Sequence, residues 1–190
     1  MPLDHFALIA PLYDRIFRHR DVTRLREHLE LPAAGWALDA AGGTGRVAQL
    51  LRDQVERIVV ADISWGMLQQ ARGKVGLSSV NARIERLPFP DGTFDRILMI
   101  DAFHHLSDHR SAAAELIRVL APGGRLVIEE PNIERWPIRL IALMERLMLM
   151  RSRFFPPAAL AGFFDTPDTR VRWDADDAIS VWVVVERSRA

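Results

Sequence analysis

A glycine-rich turn that follows a short apolar run constrains this chain more than any other stretch of its sequence. The run covers residues 36–40, with Asp39 near its end, and Gly42, Gly43 and Gly45 follow directly. Glycine allows a sharp turn and lets a ligand approach the backbone without a Cβ in the way. A helical pattern comes next, and the first N–H groups of a helix can bind a ligand. We therefore expect a small-molecule cradle at the end of a first β-strand.

The composition narrows the choice of partners. The chain has 190 residues, a formal net charge of zero and no cysteine. Because no net charge draws the protein to polyanions, we expect neither a nucleic acid nor an anionic membrane as partner. The absence of cysteine excludes disulfides and thiolate-bound metals, and no His/Asp/Glu set has the spacing of metal ligands. We expect no metal site.

The hydropathy pattern bears on location. No uninterrupted apolar run approaches the roughly 20 residues of a membrane-spanning helix. The first residues lack the apolar block of a signal peptide, because Asp4 and Asp14 interrupt them. We therefore expect a cytoplasmic protein without an integral membrane segment. The sequence leaves its oligomeric state open, a homodimer included.

Short apolar segments alternate with helical patterns over much of the chain. The predicted strands are 36–40, 57–62, 81–86, 94–100 and 125–129, and the predicted helices between them are 44–53, 67–74 and one capped by Ser107. Ser64 is the predicted N-cap of the second of these helices. Strands that alternate with helices predict an α/β fold, with a parallel sheet covered by helices on both faces.

The flanking segments complete a single predicted domain over residues 1–190. In chain order we expect an N-terminal cap (1–30) with helices at 3–17 and 22–29, the second capped by Asp21, a cofactor-binding core (36–131), an insert (132–165) with a helix at 138–150, and a terminal pair of strands (169–187) at 169–173 and 180–186. The helix of the insert is apolar nearly all round. This pattern favours a buried core or cap helix over a membrane-surface helix.

The glycine turn also fits a dinucleotide-binding site. Residues 43–48 match G-x-G-x-x-A, and Asp62 lies close to the spacing of a ribose-binding acid. Two features count against a nicotinamide cofactor. A carboxylate at Asp39 would be poorly placed beside a pyrophosphate, and the only tyrosine and lysine, Tyr13 and Lys74, cannot form the pair that short-chain reductases need. An NAD-dependent oxidoreductase remains the alternative.

Several stretches together resemble the class I S-adenosylmethionine-dependent methyltransferases. They are 38–45 (LDAAGGTG, similar to motif I), 60–71 (VADISWGMLQQA), 87–95 (LPFPDGTFD), 103–106 (FHHL) and 115–126 (ELIRVLAPGGRL). They follow the order and spacing of the family continuously from about residue 36 to residue 131. The loop AGGTG and the opening IAPxYD at 9–14 most resemble the ubiquinone and menaquinone C-methyltransferases of the methyltransferase type 11 group.

This resemblance implies a Rossmann-like, seven-stranded, mostly parallel sheet with an antiparallel last strand and helices on both faces. It also implies S-adenosylmethionine as cofactor, held by Asp39, Ala41, Gly43, Gly45, Asp62, Ile63, Met67, Ile84 and Tyr13. Asp62 would accept hydrogen bonds from both ribose hydroxyls, and Asp39 would favour the ammonium end of the ligand. Taken singly, Asp62 also fits a solvated strand end, Met67 ordinary core and Asp39 a turn cap.

Two residues depart from the family pattern. Ala41 replaces the first glycine of the usual triplet, as it does in the quinone branch. Arg83 stands where relatives usually have an acid that contacts the adenine amino group. An arginine has only donors and cannot accept that hydrogen bond. Either the backbone near Ile84 contacts the adenine alone, or cofactor affinity is weakened, or the cofactor is altered.

The resemblance implies in-line transfer of a methyl group from a sulfonium to a small molecule. The protein mainly supplies alignment, and a base is needed only where the acceptor carries a proton. The predicted catalytic residues are His104 and Asp101. We expect His105 to have a packing role, and for Glu130 two alternatives stay open, contact with the substrate or exposure to solvent. The apolar insert suits an apolar or aromatic acceptor, although core packing explains it equally. A non-catalytic S-adenosylmethionine-binding module is the other alternative.

Overall fold

The computed structural model describes residues 22–147, 152–175 and 179–189. Its elements run in this order: α1 (Thr23–Leu29), β1 (Trp36–Ala40), α2 (Arg46–Leu51), a 3₁₀ turn (Arg52–Gln54), β2 (Arg57–Asp62), α3 (Trp65–Arg72), β3 (Leu77–Asn81), β4 (Phe94–Ile100), a second 3₁₀ turn (Phe103–His105), α4 (His109–Val119), β5 (Leu120–Pro131), α5 (Trp136–Leu147), α6 (Pro157–Gly162), β6 (Thr169–Ala175) and β7 (Ser180–Arg187). The predicted helix at 3–17, the Asp21 cap and Tyr13 lie outside the described residues.

The strands form one seven-stranded sheet in the order β3-β2-β1-β4-β5-β7-β6. Strands β1 to β5 pair in parallel, and β7 is antiparallel to both of its neighbours, β5 and β6. This confirms the mostly parallel sheet with an antiparallel last strand. Because the strand order reverses between β1 and β4, a crevice forms at the carboxyl ends of these two strands, where open α/β sheets bind their ligands.

Successive strand residues point to opposite faces, so each central strand contributes to two apolar cores. Leu38 and Ile97 face the core beneath α4 and α6. Ala37 and Leu98, one position away on the same strands, face the core beneath α1, α2 and α3. Burial on both faces explains why these strands have nearly continuous apolar sequences and were predicted to the residue.

Two helix starts illustrate local control of the fold. Ser64 caps α3 as predicted, since its side chain accepts a hydrogen bond from the N–H of Met67. The prediction of Ser107 as the cap of α4 is wrong, because Asp108 accepts hydrogen bonds from the N–H groups of Arg110 and Ser111. A carboxylate satisfies two free N–H groups at once and also suits the positive end of the helix dipole.

The third strand was misplaced. It was predicted at residues 81–86, but β3 covers Leu77–Asn81. This edge strand is only half-buried, so its apolar signal is weak. Ile84 gave the stronger signal and is indeed buried, but it lies in the loop after the strand. Other bounds also differ from the predictions: α2 is shorter by two residues at each end, α3 lies two residues earlier, β5 is longer than predicted, and α5 begins at Trp136.

Within the described residues, none of the helices combines the length and the apolar character that crossing a bilayer requires.

Candidate cofactor and acceptor site

A cavity of about 220 Å³ lies at the carboxyl ends of β1, β2 and β4. Most of the predicted cofactor residues line it, and these are Asp39, Ala41, Gly43, Asp62, Ile63, Met67 and Ile84. Gly45 is not among its lining residues, and Tyr13 lies outside the described part of the chain. The structure therefore brings together seven of the positions that the resemblance implied.

The glycine turn forms the floor of the cavity, and each glycine meets a different requirement. A Cβ on Gly42 would lie 2.4 Å from the carboxyl carbon of Asp39, and a Cβ on Gly45 would lie 2.8 Å from Cδ1 of Leu77. A Cβ on Gly43 would clash with nothing, because its nearest neighbours, Oδ2 of Asp62 and Sδ of Met67, would both be 3.9 Å away. A side chain at position 43 would therefore occupy the cavity itself, and its absence leaves room for a ligand.

Asp62, the last residue of β2, is held by backbone groups on both sides. Its Oδ2 accepts a hydrogen bond from the N–H of Gly43 at 2.8 Å, and its Oδ1 accepts one from the N–H of Ser64 at 2.7 Å. The residue is only 8% exposed, and it lines the cavity. The carboxylate is thus fixed between the glycine turn and the start of α3, which presents a negative group to a ligand in the cavity.

Asp39 supports the same turn from below. It is buried, and its Oδ2 accepts a hydrogen bond from the N–H of Ala48 at 3.3 Å in the first turn of α2. Ala41 follows with a backbone φ of 55°, in the left-handed region that residues with a side chain rarely adopt.

The sole lysine, Lys74, also holds the glycine turn, because its Nζ donates a hydrogen bond to the carbonyl of Thr44 at 2.6 Å. Sequence reasoning assigned no role to Lys74, because its partner is a backbone group far along the chain.

The walls of the cavity are mostly apolar. Ile63 is 64% exposed although it is a large apolar residue beside a buried strand end. Met67 and Ile84 are buried, and Leu106 completes the wall on the β4 side. Apolar side chains predominate in the walls of small-molecule pockets, and Ile63 belongs to such a wall.

Arg83 lies at the rim of this cavity rather than inside the core. Its Nη2 donates to Oε1 of Glu85 at 3.2 Å and to Oγ of Ser107 at 3.1 Å. Glu85 also accepts the N–H groups of Ser107 and Asp108. Arg83 is therefore paired with an acid two residues away, and both side chains line the cavity. Sequence reasoning flagged Arg83 but missed Glu85, since only the fold shows that the two meet.

Of the two predicted catalytic residues, Asp101 lines the cavity. It follows β4 directly, and its φ of 55° places a non-glycine residue in the left-handed region. Its N–H donates to the carbonyl of Glu129 at 2.7 Å, which holds this conformation against the neighbouring strand. Strained backbone of this kind is most often retained at functional sites.

His104, the other predicted catalytic residue, does not line the cavity. It is 3% exposed, and its Nδ1 lies 2.6 Å from Oε2 of Glu130. Oε1 of Glu130 accepts the N–H groups of Ala102 and Phe103, and its Oε2 also accepts that of His104. Glu130 is thus neither a surface residue nor a group that lines the cavity. It is a buried brace for the turn after β4, and we call this set of contacts the Glu130 brace.

His105 faces the cavity instead, although the sequence favoured a packing role for it. Its Nδ1 lies 3.1 Å from the hydroxyl of Ser152. Burial, followed by the charge of the neighbouring His104, lowers the pKa of His105 to about 4. The imidazole is therefore neutral at physiological pH.

The segment after α5 is fastened to this same turn. The N–H of Arg153 donates to the carbonyl of His104 at 2.7 Å, and Phe154 stacks on the His104 ring with centroids 4.4 Å apart. Phe155 packs on Phe103. The insert thus contributes packing directly beside the β4 side of the cavity. Among the described residues, no group of three or more His, Asp or Glu side chains could hold a metal ion.

The chain matches the family model described as "Methyltransferase domain" over residues 38–128. It is 37% identical over 139 residues to the demethylmenaquinone methyltransferase of Thermus thermophilus, a match that covers 66% of this chain and 63% of that protein. It is 30% identical over 177 residues to the demethylmenaquinone methyltransferase of Mycolicibacterium vanbaalenii, covering 86% of this chain and 75% of that one.

The structural comparison agrees on the fold. A SAM-dependent methyltransferase of Thermotoga maritima superposes with a TM-score of 0.80 at 22% identity, with 96% of this chain and 98% of that chain covered. A Rossmann-like sheet with a glycine turn and a strand-end acid defines a class of nucleoside-binding proteins. Within that class, the chain belongs to the class I S-adenosylmethionine-dependent methyltransferase family. S-adenosylmethionine is the cofactor of this family. The chain spans about three fifths of two of the curated relatives it matches, 63% of one and 58% of the other.

Proposed function

We propose that this protein transfers a methyl group from S-adenosylmethionine to a ring carbon of a small, quinone-like acceptor. The observation that carries the proposal is the cavity, which joins two kinds of surface. On the β1–β2 side lie the glycine turn and the Asp62 carboxylate, and on the β4 side lie apolar walls with Asp101 and His105. Relatives of this chain are named demethylmenaquinone methyltransferases, which supports the acceptor class.

The residues on the β1–β2 side fit the cofactor. Asp62 would accept hydrogen bonds from the ribose hydroxyls, because carboxylate oxygens are acceptors and the two hydroxyls are adjacent donors. Ile63 and Met67 would flank the adenine. The open space at Gly43 would let the ribose and the methionine tail lie against the backbone, since a Cβ there would enter the cavity. Asp39, buried beneath the turn, would add negative charge below the ammonium group.

When bound, S-adenosylmethionine would supply the methyl group of its sulfonium, and its sulfur would remain as a neutral thioether once the methyl–sulfur bond breaks. The methyl group would become bonded to the acceptor carbon, which would then lose its own proton. A hydroquinone ring carbon becomes a better nucleophile when a ring hydroxyl loses its proton. The protein must therefore align the two reactants and accept one proton.

Asp101 is the group that we assign to proton acceptance. It lines the cavity at the end of β4, and a carboxylate oxygen can accept a proton from an acceptor that lies beside it. His105 lines the same wall, but its lowered pKa makes it a weak base that accepts a hydrogen bond more readily than a proton. His104 would act only through the Glu130 brace, as a positioning residue, because its ring is turned to Glu130.

The test is a methyl-transfer assay with S-adenosylmethionine carrying a labelled methyl group and a short-chain demethylated naphthoquinol. We expect labelled product, and Asp101→Asn should lower kcat about 100-fold while the Kd for S-adenosylmethionine stays within about twofold. The matched control is Asp53→Asn, since that side chain is 81% exposed in a surface turn. Product formation at an unchanged rate in Asp101→Asn would remove the assigned base, and no product from the unmodified chain would contradict the acceptor class.

A further inference from the structure

A second cavity, of about 380 Å³, lies at the amino-terminal ends of β4 and β5, at the edge opposite the glycine turn. We call it the arginine groove. Its charged lining residues are Arg96, Arg125, Arg170, Arg187, Arg189, Glu30 and Glu186. Five arginines against two glutamates give this lining a formal charge of +3, although the chain as a whole carries no net charge. The positive charge is therefore local to this groove.

The register of the sheet creates the row of charges. Arg96 of β4 pairs with Arg125 of β5, Arg125 pairs with Glu186 of β7, and Glu186 pairs with Arg170 of β6. Neighbouring strands lie about 4.8 Å apart, so these four side chains stand side by side. Two like charges directly opposite each other on paired strands are unfavourable unless an anion lies between them.

Both carboxylates of the groove are used by one arginine. Nη2 of Arg125 lies 2.8 Å from Oε1 of Glu30 and 2.7 Å from Oε1 of Glu186. Arg96 instead donates to two backbone carbonyls, that of Leu29 at 2.6 Å and that of Asp95 at 2.9 Å. The pKa of Arg96 is lowered, first by burial and then by the charge of Arg125. Glu30 and Asp95 favour the charge of Arg96 from nearby, but among the described residues no carboxylate forms a hydrogen bond or an ion pair with its guanidinium group.

Two further arginines of the groove have exposed guanidinium groups without a partner among the described residues. Within the residues that the structure describes, the guanidinium groups of Arg170 and Arg189 make neither a hydrogen bond nor an ion pair, and both residues are exposed. The Arg189 side chain lies across Gly123, whose added Cβ would be 3.1 Å from its Cγ. Gly123 has a φ of 76°, which glycine adopts without strain. The turn after α4 thus leaves the space that Arg189 uses over the groove.

We propose that the arginine groove binds a phosphate-bearing small molecule through a diphosphate or terminal phosphate group. Guanidinium groups donate paired N–H bonds in a planar fork that matches phosphate oxygens. The cavity lies within the size range of small-molecule sites, and an anion between Arg96, Arg170 and Arg189 would balance the charges that the two glutamates leave. The site is separate from the methyl-transfer cavity and does not depend on the function proposed for it.

The experiment is a calorimetric titration of the full chain with inorganic pyrophosphate at low ionic strength. We expect saturable binding that Arg170→Glu and Arg189→Glu each weaken at least about tenfold. The matched control is Arg110→Glu, which changes the net charge by the same amount. Arg110 is exposed on α4, and its side chain forms no hydrogen bond or ion pair with another described residue. Arg170→Gln and Arg189→Gln remove the charge without reversing it, and they replace any glutamate variant whose circular dichroism shows that it is unfolded.

A second arm separates a lipid phosphate from a free one. Vesicles of phosphatidylcholine with and without phosphatidic acid are sedimented with the protein. Pyrophosphate binding without vesicle binding supports a free ligand, and sedimentation with phosphatidic acid that pyrophosphate reverses supports a lipid headgroup. The proposal is overturned if pyrophosphate does not bind, if Arg110→Glu weakens binding as much as the groove variants, or if only a single-stranded oligonucleotide binds.

Discussion

Two carboxylates at the carboxyl ends of parallel strands have opposite uses in this protein. Asp62 ends β2, is held by two backbone N–H groups and lines the cavity. Glu130, near the end of β5, is held by three backbone N–H groups and by His104, and it does not line the cavity. The Asp62 carboxylate lies at the wall of the cavity, whereas the Glu130 carboxylate forms its hydrogen bonds within the fold.

The comparison shows that position at the end of a strand does not by itself define a ligand contact. The backbone groups around Asp62 come from the glycine turn, which leaves an open space in front of the carboxylate. Those around Glu130 come from the turn at 102–104, which closes over it together with Phe154. We therefore expect mutation of Asp62 to change cofactor affinity and mutation of Glu130 to change the stability of the fold.

The largest effect is expected at Glu130. Glu130→Gln keeps an acceptor for Ala102 and Phe103 but brings an NH₂ group against the N–H of His104, so a buried donor loses its partner. We expect a loss of about 3 kcal/mol in the free energy of unfolding, measured by urea denaturation. Glu56→Gln, on an exposed residue without a side-chain bond among those described, should change stability by less than about 0.5 kcal/mol. A loss of cofactor affinity without a loss of stability would reverse the roles of the two acids.

Asp62→Ala tests the other half of the comparison. Removing the carboxylate deletes the acceptor for the ribose hydroxyls, and we expect at least about a 100-fold rise in the Kd for S-adenosylmethionine, or about 2.7 kcal/mol. Isothermal calorimetry measures this directly, with thermal denaturation to show that the variant is folded. The control is Asp91→Ala, a partner of Arg118 away from the cavity. An affinity that stays within a few-fold in Asp62→Ala would refute the ribose assignment.

The pH dependence of stability should report on His105. Its folded pKa of about 4 lies below the unfolded value of 6.5, so the unfolded chain takes up the proton first. The stabilisation is complete above about pH 6.5 and is lost as the pH falls towards 4. Because the ring is partly exposed, we expect a change of about 2 kcal/mol between pH 7 and pH 4 that is absent in His105→Asn. Equal slopes in the two proteins, from denaturation curves at matched pH, would contradict this.

The smallest effect is expected at Ala41. Its φ of 55° strains a residue with a side chain, so Ala41→Gly should raise the free energy of unfolding by up to about 1 kcal/mol. Ala37→Gly, in the buried part of β1 at ordinary strand geometry, should lower it instead. Thermal denaturation distinguishes the two, and a destabilised Ala41→Gly would show that the Ala41 methyl group packs better than its backbone strain costs.

The sequence predicts those parts of the fold that depend on local patterns. Strands β1, β2 and β4 were predicted to the residue, because strands buried on both faces have unbroken apolar sequences. The edge strand β3 was misplaced, since its half-exposed residues carry less signal than Ile84 in the loop after it. The cavity residues near the glycine turn could be predicted from the family resemblance, because the motifs that carry it lie in short continuous stretches of sequence.

The β4–β5 side depends on contacts between distant residues, which no local pattern records. His104 and Glu130 are 26 residues apart, and Ser152 is 47 residues from His105. Those contacts place His105, and not His104, at the wall of the cavity. The arginine groove was missed in the same way, because its charges meet only through strand register.

Cofactor binding tests the central claim most directly. Calorimetry of the unmodified chain with S-adenosylmethionine, S-adenosylhomocysteine and NAD compares, under one set of conditions, the two cofactors that the glycine turn could bind. We predict saturable binding of both sulfur compounds at one site per chain, each displacing the other, and no heat of binding with NAD. Binding of NAD with neither sulfur compound would contradict the account.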